Sequence, residues 1–407
     1  MSALLVPWTG CGPQPRHTLH QVAISEPLEI YEAAWRREPD SAERLYALGW
    51  AYLEHQRYRA AADILRRLVQ AAPADPDAHY CLGVALAKER RGAEAAAAFK
   101  KALELAPNFA EAWWALALLH SERGDGLAAT RACERGLKLA EASAYGHFVH
   151  GFILASRGEN EAAEQALLRA CDLDGGLAQA HYYLGVIYSR RSEYAKAVEA
   201  MERAVRLAPS YAAVYYSLGT LYARADRIEE GERMLALFAQ LNRRARKEEH
   251  YRHLLYEQGA LLTDTERAAN HYNLGLVCLE QQREEEALGQ FQAALRADST
   301  YAEACHNIGA IYSRQQRYRE ALPYFERAVR LKPDYALAHK NLCIDYLALG
   351  DYSAAEEALL RALALDADMA EAAQALGAAL IQLGRIEEGR AVQARALLRD
   401  GQAAAEQ

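Results

Sequence analysis

The chain has 407 residues, more than a single hydrophobic core usually organises, and 52% of them are hydrophobic. Its net charge of −8 argues against a surface built mainly for nucleic acid or another polyanion, which needs clustered Lys and Arg. Abundant Ala, Leu, Glu and Arg, with only 11 prolines, point to an all-α protein, and no stretch reaches the roughly 20 apolar residues of a membrane span.

Residues 1–26 hold Gly10, Gly12, Pro13 and Pro15 and show no helical period, so an irregular leader is expected. The start SALLVPWTGC, with Thr9 and Gly10 before Cys11, resembles the tail of a bacterial lipoprotein signal peptide, whose cysteine becomes the lipidated N-terminus. Two readings stay open: a lipid anchor at Cys11 on a periplasmic or outer-membrane protein, or a flexible leader with a free thiol on a cytoplasmic one. Residues 27–41 (PLEIYEAAWRR, with Pro39 as the stop) read as one helix, a half-repeat that covers the first full unit.

A hairpin pattern then recurs. In the stretch Ala178 to Ser210, His181, Leu184, Gly185 and Tyr188 fall on one helical face; Ala197, Met201 and Ala204 form a second face, and Pro209 ends the unit. The small residue of the first helix appears at Gly49, Gly83, Ala117, Gly151, Gly185 and Gly219, and after a break at Gly275, Gly309, Cys343 and Gly377. The small residue of the second helix follows twelve positions later in every copy, from Ala61 to Gly389, so the two helices touch at close range. Residues 42–243 hold six units and 268–400 hold four. The insert at 244–267 reads as a charged extension of the preceding helix and a turn, with Thr263 and Glu266 at capping-box spacing. The basic run Arg243 to Lys247 at the junction reads as a solvated helix face, and 401–407 is a polar tail.

These residues resemble the tetratricopeptide repeat. His181, Leu184, Gly185, Tyr188, Ala197, Met201, Ala204 and Pro209 match its pattern in one unit, and Cys305, Ile308, Gly309, Tyr312, Ala321, Phe325, Ala328 and Pro333 in another. His120, Cys133 and Gly136 of the third unit depart from it. The resemblance implies a right-handed α-solenoid of about ten helix-turn-helix units in two arrays, whose first helices line a groove for extended peptides or helices of partner proteins. Fold alone does not fix that function.

One residue per unit is then expected in the groove: Tyr46, Tyr80, Trp114, Phe148, Tyr182, Tyr216 and Tyr272, with Trp50 and Phe152 one turn later. Packing inside the helix layer is the alternative. In the second array Asn273, Asn307 and Asn341 form a row, with His306 and Lys340 beside them. Amides donate and accept together, so such a row can hold a peptide backbone; it resembles the asparagine ladder in the tetratricopeptide superhelix of O-linked N-acetylglucosamine transferase. The carboxylate clamp of chaperone-tail-binding relatives is unmatched, because Leu276, Ala310 and Ile344 stand where asparagine is wanted.

His147 and His150, one turn apart on a face expected to be buried, with His120 and Cys133 in the preceding unit, have ligand types for a soft metal. The recurrence of His at the position of His147 (His79, His181, His271, His339) favours packing, so no metal or cofactor is expected. Cys81, Cys133, Cys171, Cys278, Cys305 and Cys343 lie in the repeats and read as small buried hydrophobes in a reducing compartment. No phosphate loop, nucleophile elbow or HExxH appears. The expectation is a non-enzymatic interaction scaffold that binds a protein or peptide rather than nucleic acid; its oligomeric state cannot be read from the sequence.

Overall fold

Each hairpin is built around one turn residue with a left-handed backbone. Gly124, Gly158, Gly350 and Gly384 take φ of 79–82°, and the equivalent Gln56, Arg90, Ser192, Asp226, Gln282 and Gln316 take 57–63°. Side chains pay strain there, and glycine does not. The structure, a computed structural model, describes residues 28–256, 258–366, 370–391 and 393. The leader with Cys11 and the tail at 401–407 lie outside the described residues.

Two units divide between Asn242 and Arg243. The first begins with α1 (Leu28–Arg37), followed by the hairpins α2 (Ala42–Glu54) with α3 (Tyr58–Ala71), α4 (Pro76–Lys88) with α5 (Gly92–Leu105), and α6 (Ala110–Glu122) with α7 (Gly126–Leu139). Next come α8 (Ala144–Ser156) with α9 (Asn160–Leu173), α10 (Ala178–Arg190) with α11 (Tyr194–Leu207), and α12 (Ala212–Arg224), whose partner is the start of α13 (Ile228–Tyr256). The second unit takes the rest of α13, a 3-10 turn at Gly259–Leu261, α14 (Asp264–Glu280) with α15 (Glu284–Ala297), and α16 (Ala302–Arg314) with α17 (Tyr318–Leu331). It continues with α18 (Ala336–Leu349), α19 (Tyr352–Leu365) and α20 (Ala370–Gln382).

The helices of a hairpin close through the small residues that recur in the sequence. A methyl group added at Gly185 would overlap Met201, and one at Gly83 would overlap Phe99. Ala95, Ala129, Ala163, Ala197, Ala287, Ala321 and Ala355 are fully buried. Large side chains such as Phe99, Leu167, Met201, Phe291 and Phe325 fill the space between, each contributing roughly 1.5–3 kcal/mol by leaving water. In the third unit Trp114 takes more room than its counterparts. Gly136 and Gly146 give it that room, since a methyl at either would overlap the indole.

At three hairpins a tyrosine hydroxyl ties the first helix to the helix before it. Tyr52 donates to Glu32 (2.9 Å), Tyr222 to Glu202 (2.6 Å) and Tyr346 to Glu326 (3.0 Å), always twenty residues back. Arg57, Arg227 and Arg317 lie over the rings of Tyr52, Tyr222 and Tyr312.

The 29-residue α13 has two characters. Near its start Phe238 occupies the position that is Ala102, Gly136, Ala170, Ala204, Ala294, Ala328 and Ala362 elsewhere. The ring packs on Tyr216 (5.2 Å between centroids). Further along, the buried Glu248 accepts from Arg252 Nε (3.0 Å) and from Gln281 Nε2 (3.0 Å), and pairs with Arg283 (2.8 Å). Leu255 joins the core formed by Leu274, Cys278 and Phe291. The end of α13 thereby covers the first hairpin of the second unit. At the restart Thr263 and Glu266 form the capping box: Thr263 Oγ1 accepts from the Glu266 amide (3.2 Å), and Glu266 Oε2 accepts from the Thr263 amide (2.9 Å).

Candidate functional site

The first-helix faces carry nearly all the expected site residues, and the structure sorts them by burial. Tyr46, Tyr80, Trp114, Phe148 and Phe152 are buried, Trp114 to 1% exposure, so as groove-lining anchors they are corrected to core. The cause is neighbouring rings, most of them from the next repeat. Tyr80 lies between Phe99 (5.7 Å) and Phe109 (4.9 Å), Trp114 meets Tyr145 (5.9 Å), and Tyr183 covers both Phe148 (6.0 Å) and Phe152 (5.1 Å). Trp50, Tyr182 and Tyr272 are half-buried, whereas Tyr216, with no repeat after it in its unit, is 50% exposed.

The stacking of Tyr80 on Phe109 repeats as Tyr182 on Tyr211 (5.1 Å), Tyr272 on Tyr301 (5.1 Å) and His306 on Tyr335 (4.9 Å). The residue after the Trp-like position is thus the ring on which the following unit sits.

Asn273, Asn307 and Asn341 are half-buried at one register position. Asn307 Nδ2 donates to Tyr272 Oη (3.3 Å), and Asn341 Nδ2 donates to His306 Nε2 (3.0 Å), each bond reaching back one repeat. The rings hold both amides in fixed orientation, and each amide keeps an oxygen able to accept. His306 must be neutral to accept at Nε2; burial pushes its pKa down to about 4. Lys340 stands half-exposed at the register of His306, and Ile344 one turn on is exposed.

The histidine candidates have another task. His147 Nε2 bonds the Glu141 carbonyl (2.9 Å), as His79 bonds that of Pro73 (3.0 Å) and His339 that of Pro333 (3.1 Å). Trp113 Nε1 and the Tyr215 hydroxyl donate to the carbonyls of Pro107 (3.0 Å) and Pro209 (2.9 Å) in the same way. A ring donor at this position ties the first helix to the loop six residues before it. His120, His147 and His150 are half-exposed, which corrects the buried face expected for the HFVH pair. Cys133 is buried with its thiol on the Gly146 carbonyl, its pKa raised by burial. Among the described residues no group of three or more His, Cys, Asp or Glu could hold a metal ion. Cys81, Cys133, Cys171, Cys278, Cys305 and Cys343 are free thiols, all but the half-buried Cys171 being buried. No described helix is long and apolar enough to cross a membrane.

One residue escaped sequence reasoning. Asp345 is completely buried at a position that is Ala51, Ala85, Leu119, Ile153, Ile187, Leu221, Val277 and Ile311 in other repeats. Ser313 donates to its Oδ1 (2.5 Å), while Oδ2 has no partner among the described residues. Burial raises its pKa to about 6. The signal was present: a carboxylate in an otherwise apolar column.

Family comparison agrees with this geometry. Models described as tetratricopeptide repeat match residues 28–76, 46–110 and 344–406, residues 266–334 and 300–368, and residues 178–211. The chain belongs to the tetratricopeptide repeat family. No curated protein matches it. Similar solved tetratricopeptide structures include that of MamA, 26% identical over 41% of this chain and 97% of that one, at a TM-score of 0.35. Pseudomonas aeruginosa PilF is 19% identical over 55% and 92%, at 0.39. YrrB, titled a TPR protein with an unusual peptide-binding site, is 22% identical over 51% and 96%, at 0.27.

Proposed function

We propose that this tetratricopeptide-repeat protein is a non-enzymatic scaffold that holds an extended segment of a partner protein along its first-helix faces. The observation that carries this reading is the pair of pre-oriented amides. Asn307 and Asn341 each donate one N–H, to Tyr272 and His306, and hold acceptor oxygens at equivalent positions of successive repeats. A peptide backbone offers N–H donors at regular intervals, and fixed acceptors lower the entropy lost when it binds. In the first unit the half-exposed Tyr182 and the exposed Tyr216 add amphipathic contact area.

The test is partner recovery from the native host by Asn307→Ala/Asn341→Ala and by Tyr182→Ala/Tyr216→Ala, each against the unaltered chain. Loss with either pair locates the contact. Unchanged recovery with both would sink the proposal.

A further inference from the structure

The first helices of the fourth, fifth and sixth repeats differ from the rest in charge. α8 (AYGHFVHGFILAS), α10 (AQAHYYLGVIYSR) and α12 (AAVYYSLGTLYAR) contain no Asp or Glu, in a chain that carries 55 of them. Earlier first helices do hold acids: Glu43 and Glu54 in α2, Asp77 in α4, Glu111 and Glu122 in α6. The second helices behind this strip are also acidic, with Glu161, Glu164 and Asp172 in α9 and Glu199 and Glu202 in α11.

Two cations stand on the acid-free strip. Arg190 and Arg224 occupy the same position of successive repeats, both exposed. Neither has a carboxylate partner among the described residues, whereas the nearby Arg191 pairs with Glu164 and Glu193 and Arg227 with Glu230. Arg190 Nη1 donates to the Ala155 carbonyl (2.8 Å), which holds the guanidinium at the end of α8 while a guanidinium has four further N–H donors. Tyr182 and Tyr216 lie on the same two helices.

We infer that this strip docks an acidic, extended segment of a partner whose Asp or Glu side chains meet Arg190 and Arg224. The inference rests on the scaffold reading above and adds the partner's chemistry. Guanidinium forks suit carboxylates, and the helices that carry these two arginines hold no carboxylate of their own to compete for them. The two arginines hold one register position on successive first helices, so carboxylates spaced along a single extended chain can meet both. Nucleic acid is disfavoured, because two arginines are a small fraction of a phosphate-tracking groove and the chain is net acidic.

The experiment measures fluorescence anisotropy of the full chain with labelled, C-terminally amidated peptides of about 12 residues. One alternates Glu with Leu and Phe, one has Gln for Glu, and one has Lys; salt is varied from about 50 to about 300 mM. The Glu peptide should bind about tenfold tighter than the Gln peptide and lose that advantage in high salt and in Arg190→Ala/Arg224→Ala. Equal affinity for the Glu and Gln peptides, or an unaltered Glu-peptide affinity in the double variant, would overturn the charge assignment. So would tighter binding of a thymidine oligonucleotide. If the Gln peptide binds as well as the Glu peptide and depends on Tyr182 and Tyr216, the scaffold reading stands without the acidic partner; if no peptide binds, both fall.

Discussion

Asn341 reaches back across one repeat to bond His306, its Nδ2 3.0 Å from the imidazole Nε2. The same amide position in the preceding repeat bonds Tyr272, so one column of asparagines both faces outward and stitches neighbouring hairpins. The stitch at His306 depends on pH. Its pKa is depressed by burial from 6.5 to about 4, so its contribution is complete above the unfolded value and is lost as pH falls through the folded one. That difference amounts to about 3 kcal/mol. Because Asp345 in the same unit slopes the opposite way over this range, the readout is the difference between chains: His306→Tyr, which restores the ring of Tyr272, should gain urea stability relative to the unaltered chain as pH falls from 6 to 4. An unchanged pH profile in the variant would refute the assignment.

Asp345 slopes the other way. Its pKa is raised by burial from 3.8 to about 6, so the neutral acid is the form the folded chain favours. Stability is fully present below the unfolded pKa and lost as pH rises through about 6. Asp345→Asn should stabilise the second unit by about 2–3 kcal/mol at pH 8 and change little at pH 4. Equal effects at the two pH values would show that the side chain acts through packing alone.

The left-handed turn residues give a third expectation. Ser192 holds φ of 61° where Gly124 and Gly158 hold 79° and 82°. Ser192→Gly relieves that strain, though it loosens the unfolded chain, and a net gain of about 0.5–1 kcal/mol is expected. Gly158→Ser should cost about as much. Denaturant midpoints of the two variants should move in opposite directions.

Glu248 is the fourth. Removing it leaves the mostly buried Arg252 and Arg283 with only the more exposed Glu286 as a shared carboxylate, a change that should cost less than the roughly 3–5 kcal/mol of a buried pair broken outright but more than an exposed pair. Glu248→Ala should expose the C-terminal half of α13 to proteolysis. Arg244→Ala, which breaks only the exposed pair with Glu280, should cost less than about 1 kcal/mol. Similar proteolysis of the two variants would argue against a clamp at Glu248.

How much was legible beforehand follows from geometry. The 34-residue recurrence of Gly185 and Ala197 fixed the hairpins, because two helices can touch at that distance only through small side chains, and such a requirement leaves a mark in every copy. The capping box at Thr263 was likewise local, decided by residues three apart. Burial of Tyr80, Trp114 and Phe148 was not local. It depends on rings such as Phe109 and Tyr145 delivered by the next repeat, so a column that looked like a groove became an interface between hairpins.

The sequence by itself determined the repeat, its period and the positions of its turns, since those follow from helical spacing and backbone preference within one unit. Only the tertiary structure decided which tyrosines remain outside, that the asparagine amides are held by Tyr272 and His306, and that Asp345 is enclosed. Those outcomes arise where one repeat lies on another, and an isolated repeat contains no information about how much of its surface the neighbour will cover.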